Sequence, residues 1–257
     1  MKLTGNTILI TGGGGSGIGR GLAEAFHGLG NTVIIAGRRQ KALDETTKAN
    51  PGMKSAQLDI ERAEAIRAFG AKMAKEYPAL NVVIHNAGIM RLENLLEQPE
   101  ELTDAEAIIQ TNLLGPMRLT AALLPQLRKQ PAATIMTVSS GLAHLPMAMT
   151  PTYCATKAAI HSYSLTLRYQ LRSTKIEVLE LVPPYVQTEL MGDAQANDPR
   201  AMPLKDYIAE TMKILKEHPE AKEILVERVL PLRFAEKSGD FDKSFQGFND
   251  AMAAGGH

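Results

Sequence analysis

Tyr153 and Lys157 stand four residues apart in the stretch Tyr-Cys-Ala-Thr-Lys, and Ser140 precedes the tyrosine by 13 residues. Residues four apart share one face of a helix, so the phenol and the ammonium are predicted to be neighbours. An ammonium stabilises a phenolate and lowers the phenol pKa, which suits proton exchange with a substrate. A serine hydroxyl beside the phenol stabilises a carbonyl oxygen as it gains charge. These residues therefore predict proton transfer at a carbonyl or hydroxyl group.

A glycine-rich segment follows the first predicted strand and precedes the first predicted helix. Backbone N–H groups and the positive end of the helix dipole bind a pyrophosphate at such a junction. Glycines also serve in a tight turn without any ligand, but this position favours a nucleotide site. The predicted phosphate-binding residues are Gly12, Gly14, Ser16, Gly17, Ile18 and Gly19.

The end of the second predicted strand indicates which nucleotide is bound. A site for NAD usually has Asp or Glu there to bind the ribose 2′-hydroxyl, whereas this chain has Ala36, Gly37, Arg38 and Arg39. A guanidinium group donates paired hydrogen bonds to a phosphate. NADP(H) is therefore predicted in preference to NAD(H), with Arg38 and Arg39 at its phosphate, although a solvated helix start would also accommodate both arginines.

Short apolar runs rich in β-branched residues alternate with longer runs of helical periodicity. The predicted strands are 7–11, 32–36, 54–58, 82–85, 134–139 and 177–182, and the predicted helices are 18–29, 40–49, 63–77, 101–127 and 152–171. Because the strands lack strict polar alternation, both faces of their sheet should be covered. This pattern predicts an α/β fold with a doubly wound parallel sheet, which is a three-layer α/β/α Rossmann fold.

The last third of the chain has a looser pattern. A single domain is predicted over residues 1–257, with a substrate loop at about 187–202 that covers the site. A helix over 202–215, a last strand over 222–229 and a terminal helix over 240–252 are predicted next, and the tail 253–257 is expected to fray.

Composition favours small-molecule chemistry. The 28 basic residues balance 28 acidic residues, so no basic surplus favours nucleic acid. A lone cysteine, Cys154, excludes an intrachain disulfide, and neither a signal segment nor an apolar run of about 20 residues is apparent. A cytoplasmic protein without a membrane or nucleic-acid partner is expected, and no metal site is predicted.

The chain resembles the classical short-chain dehydrogenase/reductase family over nearly its whole length. The matching motifs, in the family's order, are Gly12 to Gly19, Asp59-Ile60, Asn86-Ala87-Gly88, Asn112, Ser140, Tyr153 with Lys157, and Pro183 to Thr188. The resemblance implies an NADP-dependent oxidoreductase that interconverts a ketone or aldehyde and an alcohol. It also implies a homodimer or homotetramer, formed through helices 101–127 and 152–171.

The resemblance also assigns roles to further residues. Asp59 would bind the adenine amino group, Ile60 would pack beside that ring, and Asn86, Ala87 and Gly88 would line the adenosine ribose and central strands. Asn112 would hold a water that links Lys157 to solvent, and Lys157 would also bind the nicotinamide ribose. The implied contacts with the nicotinamide end are Tyr153, Pro183, Val186 and Thr188.

Three features depart from the family pattern. Four residues instead of three separate Gly12 from Gly17, so one residue is inserted. Either Thr11-Gly12 keep the family's position and a glycine bulges near Gly14 or Gly15, or Gly12-Gly13 take that position and Thr11 slides back. Pro184 replaces the usual glycine, and the stretch 222–229 replaces a glycine-rich closing strand.

Two alternatives remain beside the enzyme. One is a catalytically silent regulatory protein that binds NADP(H), and the other is a nucleotide-sugar epimerase of the extended branch, for which the chain is short. The substrate is expected to be a neutral, hydrophobic carbonyl compound. The predicted pocket residues are Met90, Leu142, His144, Leu145, Met147, Met149, Tyr185, Leu190 and Met191.

Overall fold

The computed structural model describes residues 1–97 and 100–254. The strands in these residues are β1 (Thr7–Thr11), β2 (Thr32–Gly37), β3 (Lys54–Gln57), β4 (Leu80–His85), β5 (Ala133–Val138), β6 (Ile176–Leu181) and β7 (Glu223–Ile224). The α-helices are α1 (Ile18–Gly28), α2 (Gln40–Ala49), α3 (Ala63–Glu76), α4 (Thr103–Ile109), α5 (Gly115–Leu127), α6 (Pro151–Gln170), α7 (Asp193–Ala196), α8 (Leu204–Glu217), α9 (Leu230–Arg233) and α10 (Phe241–Ala254).

The strands form one parallel sheet in the order β3-β2-β1-β4-β5-β6-β7. Helices α3, α5 and α6 pack on one face of the sheet, and helices α1, α2 and α8 pack on the other. The predicted doubly wound Rossmann fold is thereby confirmed. The strand order reverses between β1 and β4, and the crevice beyond the carboxyl ends of such strands is where ligands bind in this class of sheet.

Alternate residues of each central strand enter two separate cores. Leu9 packs on the face covered by α3, α5 and α6, whereas Ile8 and Ile10 pack on the opposite face with Phe26 of α1. All four side chains are fully buried. Each contributes about 1.5–3 kcal/mol of hydrophobic stabilisation, so the sheet is a rigid support for the loops at its edge.

The helix predicted over 101–127 begins at Thr103 and contains a π-helical turn at Gln110–Leu114. The backbone N–H of Gly115 donates to the carbonyl of Gln110, five residues earlier. Pro116 has no N–H to donate to the carbonyl of Asn112, so the regular α-helical pattern fails at this place. Such widened turns are frequent at functional sites, and this one contains Asn112.

The predicted strand 222–229 is longer than the observed strand β7, so its predicted extent is wrong. Only Glu223–Ile224 pair with β6, and a 3-10 turn at Glu227–Val229 follows. The ladder stops because β6 leads into Pro183 and Pro184, which have no backbone N–H to continue it. The predicted substrate loop 187–202 contains the short helix α7, and a bridge between Val186 and Met202 connects its end to the chain that precedes it.

The C-terminal helix runs over Phe241–Ala254. Ala253 and Ala254 are therefore helical, contrary to the expected fraying, and the rest of the predicted frayed tail lies outside the described residues. No helix in the described part of the chain is both long enough and apolar enough to cross a membrane.

Candidate active site

The glycine loop keeps the position of Thr11 and Gly12 relative to the sheet. Thr11 is the last residue of β1 and pairs with Ala36, and the N–H of Gly12 donates to the Ala36 carbonyl at 2.7 Å. The Thr11 hydroxyl accepts the N–H groups of Asn86 and Ala87 at 3.1 Å each. Thr11 and Gly12 are thus fixed at the end of β1, and which of the two predicted registers relates this loop to the family's stays a prediction.

Close packing explains two of the glycines. Gly12 has φ +73°, and a Cβ there would lie 2.9 Å from Asn86 Nδ2. A Cβ on Gly19 would lie 2.3 Å from the same atom, so neither position accepts a side chain. Gly15 differs from both, because the only atom near its Cβ position is in the Arg39 guanidinium at 3.6 Å. A side chain at Gly15 would therefore make no close contact.

The start of α1 is suited to a pyrophosphate. Gly17 precedes the helix and supplies no capping side chain, and the first turn contains no acidic residue. The N–H groups at this end lack intrahelical partners and carry the positive end of the helix dipole. Together with Gly15 and Ser16 they line a cleft that continues to Tyr153. The chain around this cleft fits the diphosphate of a dinucleotide cofactor.

A second cleft, of about 290 Å³, extends from the glycine loop over the carboxyl ends of β2 and β3. Leu58, Ile60 and Ala87 line it, in agreement with an adenosine site. Asp59 is not among the residues that line this cleft. Its carboxylate accepts the Glu61 N–H at 3.1 Å and so stabilises the turn that positions Ile60. The interaction of Asp59 with adenine stays a prediction.

The two arginines differ in their surroundings. Arg38 donates to Glu61 Oε1 at 2.7 Å, and the Thr111 hydroxyl donates to the same oxygen at 2.8 Å. Arg39 lines both clefts and lies over Gly15, as noted above. A 2′-phosphate would therefore meet Arg39 directly and would compete with Glu61 for Arg38. The sequence reasoning missed Glu61 and Thr111, which follow no motif.

Helix α6 brings Tyr153 and Lys157 to the same buried face, as the spacing predicts. The helix begins at Pro151, a residue that suits the first turn because its missing N–H would have no partner there. Lys157 Nζ donates to the Val138 carbonyl at 2.8 Å and lies 5.4 Å from the centre of the Tyr153 ring. The end of β5 thus holds the lysine in place beside the tyrosine.

Burial controls the proton affinities of both groups. It lowers the pKa of Lys157 to about 8, against the opposing effect of the Glu180 charge. Burial also raises the pKa of the Tyr153 phenol, and this outweighs the lowering effect of a hydrogen bond with Ser140. The predicted lowering of the phenol pKa is therefore absent in this arrangement, in which the Lys157 ammonium is directed to the Val138 carbonyl.

Ser139 and Ser140 both line the cleft, but their hydroxyl groups have different partners. The Ser140 hydroxyl accepts the Leu142 N–H at 3.1 Å and begins a 3-10 turn, whereas the Ser139 hydroxyl donates to the Leu181 carbonyl within the sheet. The Asn112 side chain holds Ile89 after β4: its oxygen accepts the Ile89 N–H and its amide N–H donates to the Ile89 carbonyl, each at 2.9 Å. It also donates to the Thr156 hydroxyl at 3.3 Å, next to Lys157. Its proposed water contact stays a prediction.

Val186 and Thr188 line the cleft beside Tyr153, as does Pro183. Gln195 of α7 holds Val186 and Thr188 in place, because its amide donates to the Val186 carbonyl at 2.8 Å and to the Thr188 hydroxyl at 3.1 Å. The Gln195 side-chain oxygen accepts the Met191 N–H at 3.1 Å. Sequence reasoning missed Gln195, because a glutamine in a polar loop gives no pattern from which its burial follows.

A separate apolar cavity of about 480 Å³ opens beside Ser140 and Tyr153. It contains most of the predicted pocket residues, namely Met90, Leu142, Met147, Met149, Tyr185, Leu190 and Met191. Leu145 and His144 are outside its lining, so those two predictions are wrong. Phe248 and Met252 of α10 close the far side, which the sequence did not predict. Arg200 at the rim is paired with Asp198 at 2.8 Å.

Comparison with known proteins places the chain among dehydrogenases. Residues 6–199 match the family model described as short chain dehydrogenase. The chain is 43% identical over 252 residues to the uncharacterized oxidoreductase DltE of Bacillus subtilis, covering 97% of this chain and 98% of the relative. It is 30% identical over 209 residues to the NADP-dependent 3-hydroxy acid dehydrogenase of Schizosaccharomyces pombe, covering 77% and 80%.

The fold comparison agrees with these relatives. A short-chain dehydrogenase from Streptomyces avermitilis has a TM-score of 0.80 and 25% identity, covering 99% of each chain. The segment matched by the family model contains the glycine loop, Ser140, Tyr153, Lys157 and Thr188. The chain therefore belongs to the short-chain dehydrogenase/reductase family of oxidoreductases.

Proposed function

We propose that the protein is an NADP(H)-dependent carbonyl reductase, or an alcohol dehydrogenase in the reverse direction, which uses Tyr153 as general acid and base. One observation carries the proposal. Ser140 and Tyr153 line both the cleft that continues from the glycine loop and the apolar cavity. A carbonyl compound in the cavity thus has its oxygen within reach of both hydroxyls and its carbon facing the cleft.

The residues around this junction have different roles in the proposed reaction. The bound cofactor supplies or accepts the hydride. In reduction, Ser140 hydrogen-bonds the carbonyl oxygen, and Tyr153 transfers its O–H proton to that oxygen as the alcohol forms. The ammonium of Lys157 stabilises the resulting phenolate until the phenol is protonated again from solvent. Asn112 fixes the segment after β4 against α6 and so maintains the position of Lys157.

The preference for NADP(H) rests on the charges at the end of β2. No carboxylate occupies the last residues of that strand, and Arg38 and Arg39 follow it directly. A carboxylate would repel a 2′-phosphate, whereas guanidinium groups bind it. The NADP dependence named for the 30% identical relative from S. pombe supports the same preference.

The substrate class follows from the cavity beside Ser140. Methionine and leucine side chains dominate its lining, and the charge of Arg200 is paired with Asp198. A neutral, hydrophobic ketone or aldehyde therefore fits better than an acid. The direct test is a panel of aldehydes, ketones, imines and hydroxy acids, assayed for NADPH consumption or NADP⁺ reduction. Turnover of apolar carbonyl compounds is expected, and a complete lack of turnover would favour the regulatory alternative.

Several sequence predictions stay predictions. These are the single domain over 1–257, the cytoplasmic location and the homodimer or homotetramer. Ile109, Met117 and Leu165, on the helices expected to form the oligomer, expose more than a third of their surface. Light scattering on the purified protein measures the oligomeric state directly.

Deleting Gly15 is expected to tighten NADP⁺ binding, measured as a lower Kd in a fluorescence or calorimetric titration. The inserted residue adds backbone freedom that a bound diphosphate must restrict, and no atom lies closer than 3.6 Å to the Cβ position of Gly15. The matched comparison is Gly15→Ala, which restricts the same residue without shortening the loop. An unchanged or higher Kd for the deletion variant contradicts the idea that the longer loop weakens binding.

A further inference from the structure

Three potential metal ligands from separate elements meet next to the active site. His144 follows the turn that begins at Ser140, His161 lies one turn beyond Lys157 on α6, and Glu180 lies near the carboxyl end of β6. One ligand atom from each residue lies within 4.8 Å of the other two. None of the three lines the cofactor clefts or the apolar cavity.

The donor atoms face one another in a buried space. His161 Nδ1 lies 2.9 and 3.0 Å from the two Glu180 oxygens, and the ring of His144 packs edge-on against that of His161 with 4.6 Å between centres. Nε2 of His144 is buried and has no hydrogen-bond partner among the described residues. A buried ring nitrogen without a partner is costly, so its position suggests a bound group that accounts for it.

The surrounding charges favour a cation. Glu180 is completely buried. Glu223 of β7 and Arg233 of α9 also face the cluster, but they bind each other at 2.6 and 2.9 Å and so largely cancel. In this structure His161 pairs with the buried Glu180 carboxylate at 2.9 Å. A divalent cation bound by both side chains would take the place of the proton that they share and would keep the buried carboxylate compensated.

Two imidazoles and one carboxylate form a donor set that suits Zn²⁺, with a fourth position left for water. Ligand atoms on one tetrahedral zinc ion are about 3.3 Å apart, close to the separation of His161 and Glu180. We infer that His144, His161 and Glu180 bind a divalent transition-metal ion, with Zn²⁺ as the best match. The ion ties the turn after Ser140 to α6 and to the strand that leads into Pro183.

This site is structural and does not depend on the proposed reaction. The sequence analysis predicted no metal, because the three residues are 17 and 19 positions apart and form no short ligand motif. Only the fold brings them together. Its expected consequence is that zinc stabilises the folded protein whether or not a cofactor or substrate is bound.

Calorimetric titration of ZnCl₂ into the metal-free protein, without any affinity tag, tests the inference. The wild type is expected to bind one zinc ion. His144→Ala and His161→Gln each remove a ligand, so they should weaken binding by at least the roughly tenfold that follows loss of a group that only orients a ligand. His144→Ala is the safer variant, since His144 is half-buried and the substitution removes no hydrogen bond of its Nε2 atom. The control is His218→Ala, an exposed histidine beside Glu220 that should leave binding unchanged.

Two further readouts are independent of catalysis. Co²⁺ in place of Zn²⁺ should give the visible absorption of a tetrahedral ion in the wild type and not in His144→Ala. The thermal midpoint should rise with Zn²⁺ in the wild type and in His218→Ala only. No zinc binding by the wild type, or equal binding by the wild type and a folded His144→Ala, overturns the site and leaves His161 and Glu180 as an ion pair.

Discussion

Tyr153→Phe is expected to lower kcat for carbonyl reduction by about 10²–10⁴-fold, the contribution typical of a positioned general acid. The substitution removes only the hydroxyl, which carries the transferred proton, and keeps the buried ring that packs beside Cys154 and Met90. The Kd for NADP⁺ should stay close to the wild-type value. Steady-state assays with the best substrate of the panel and a cofactor titration measure the two quantities separately.

A matched control lies on the same helix. Tyr163→Phe also removes one phenol hydroxyl from α6, but Tyr163 is outside both cofactor clefts and the apolar cavity. Its turnover should remain near that of the wild type. If Tyr153→Phe kept wild-type turnover while binding cofactor normally, Tyr153 would not be the acid. If both variants lost turnover together, damage to the helix would explain the result better than proton transfer.

The layer structure of the protein was predictable because local patterns encode it. Apolar runs such as Thr7–Thr11 are buried on both faces, and a strand with that property belongs to a parallel sheet covered by helices. The pairing of Tyr153 with Lys157 follows from helical periodicity alone. The glycine loop was recognisable because its position between β1 and α1 has one physical use that side chains would prevent.

Other parts depended on contacts between distant residues. Glu61 accepts hydrogen bonds from Arg38 and Thr111, which lie 23 and 50 positions away in the sequence, and no sequence pattern predicts either bond. Gln195 is buried because the loop that contains it folds back on Val186. The polar composition of this loop does not predict that burial. The phenol pKa also depends on burial of the whole site, so neighbouring residues in the sequence predicted its direction wrongly.

The short β7 is a related case. The stretch 222–229 has the composition of a strand, yet its pairing is limited by the partner. Pro183 and Pro184 end the neighbouring strand β6, and a strand cannot extend beyond the N–H groups that pair with it. The length of an edge strand is thus decided by residues about 40 positions away, which a window of local sequence does not contain.

The double variant Arg38→Ala, Arg39→Ala is expected to reduce the preference for NADP⁺ over NAD⁺ by about 10²–10⁴-fold. Each charge-assisted hydrogen bond to a phosphate contributes about 1.5–3 kcal/mol, which corresponds to roughly 10–10² in affinity. Arg39→Ala alone should cause most of the loss, because Arg39 lines both clefts, whereas Arg38 lines one of them and is already engaged by Glu61. Dissociation constants for both cofactors, measured for each variant, give the preference directly.

Glu61→Gln separates a phosphate contact from a general effect of charge. Removing the carboxylate frees Arg38 from its 2.7 Å ion pair and removes a negative charge from the place where a 2′-phosphate would bind. NADP⁺ should therefore bind more tightly to Glu61→Gln, with little change for NAD⁺, and this gain should disappear when Arg38→Ala is added. Lys41→Ala is the control for net charge, since Lys41 is an exposed cation of α2 that lines neither cleft. An equal loss of NADP⁺ affinity in Lys41→Ala and Arg39→Ala would mean that the arginines act through the overall field and make no specific phosphate contact.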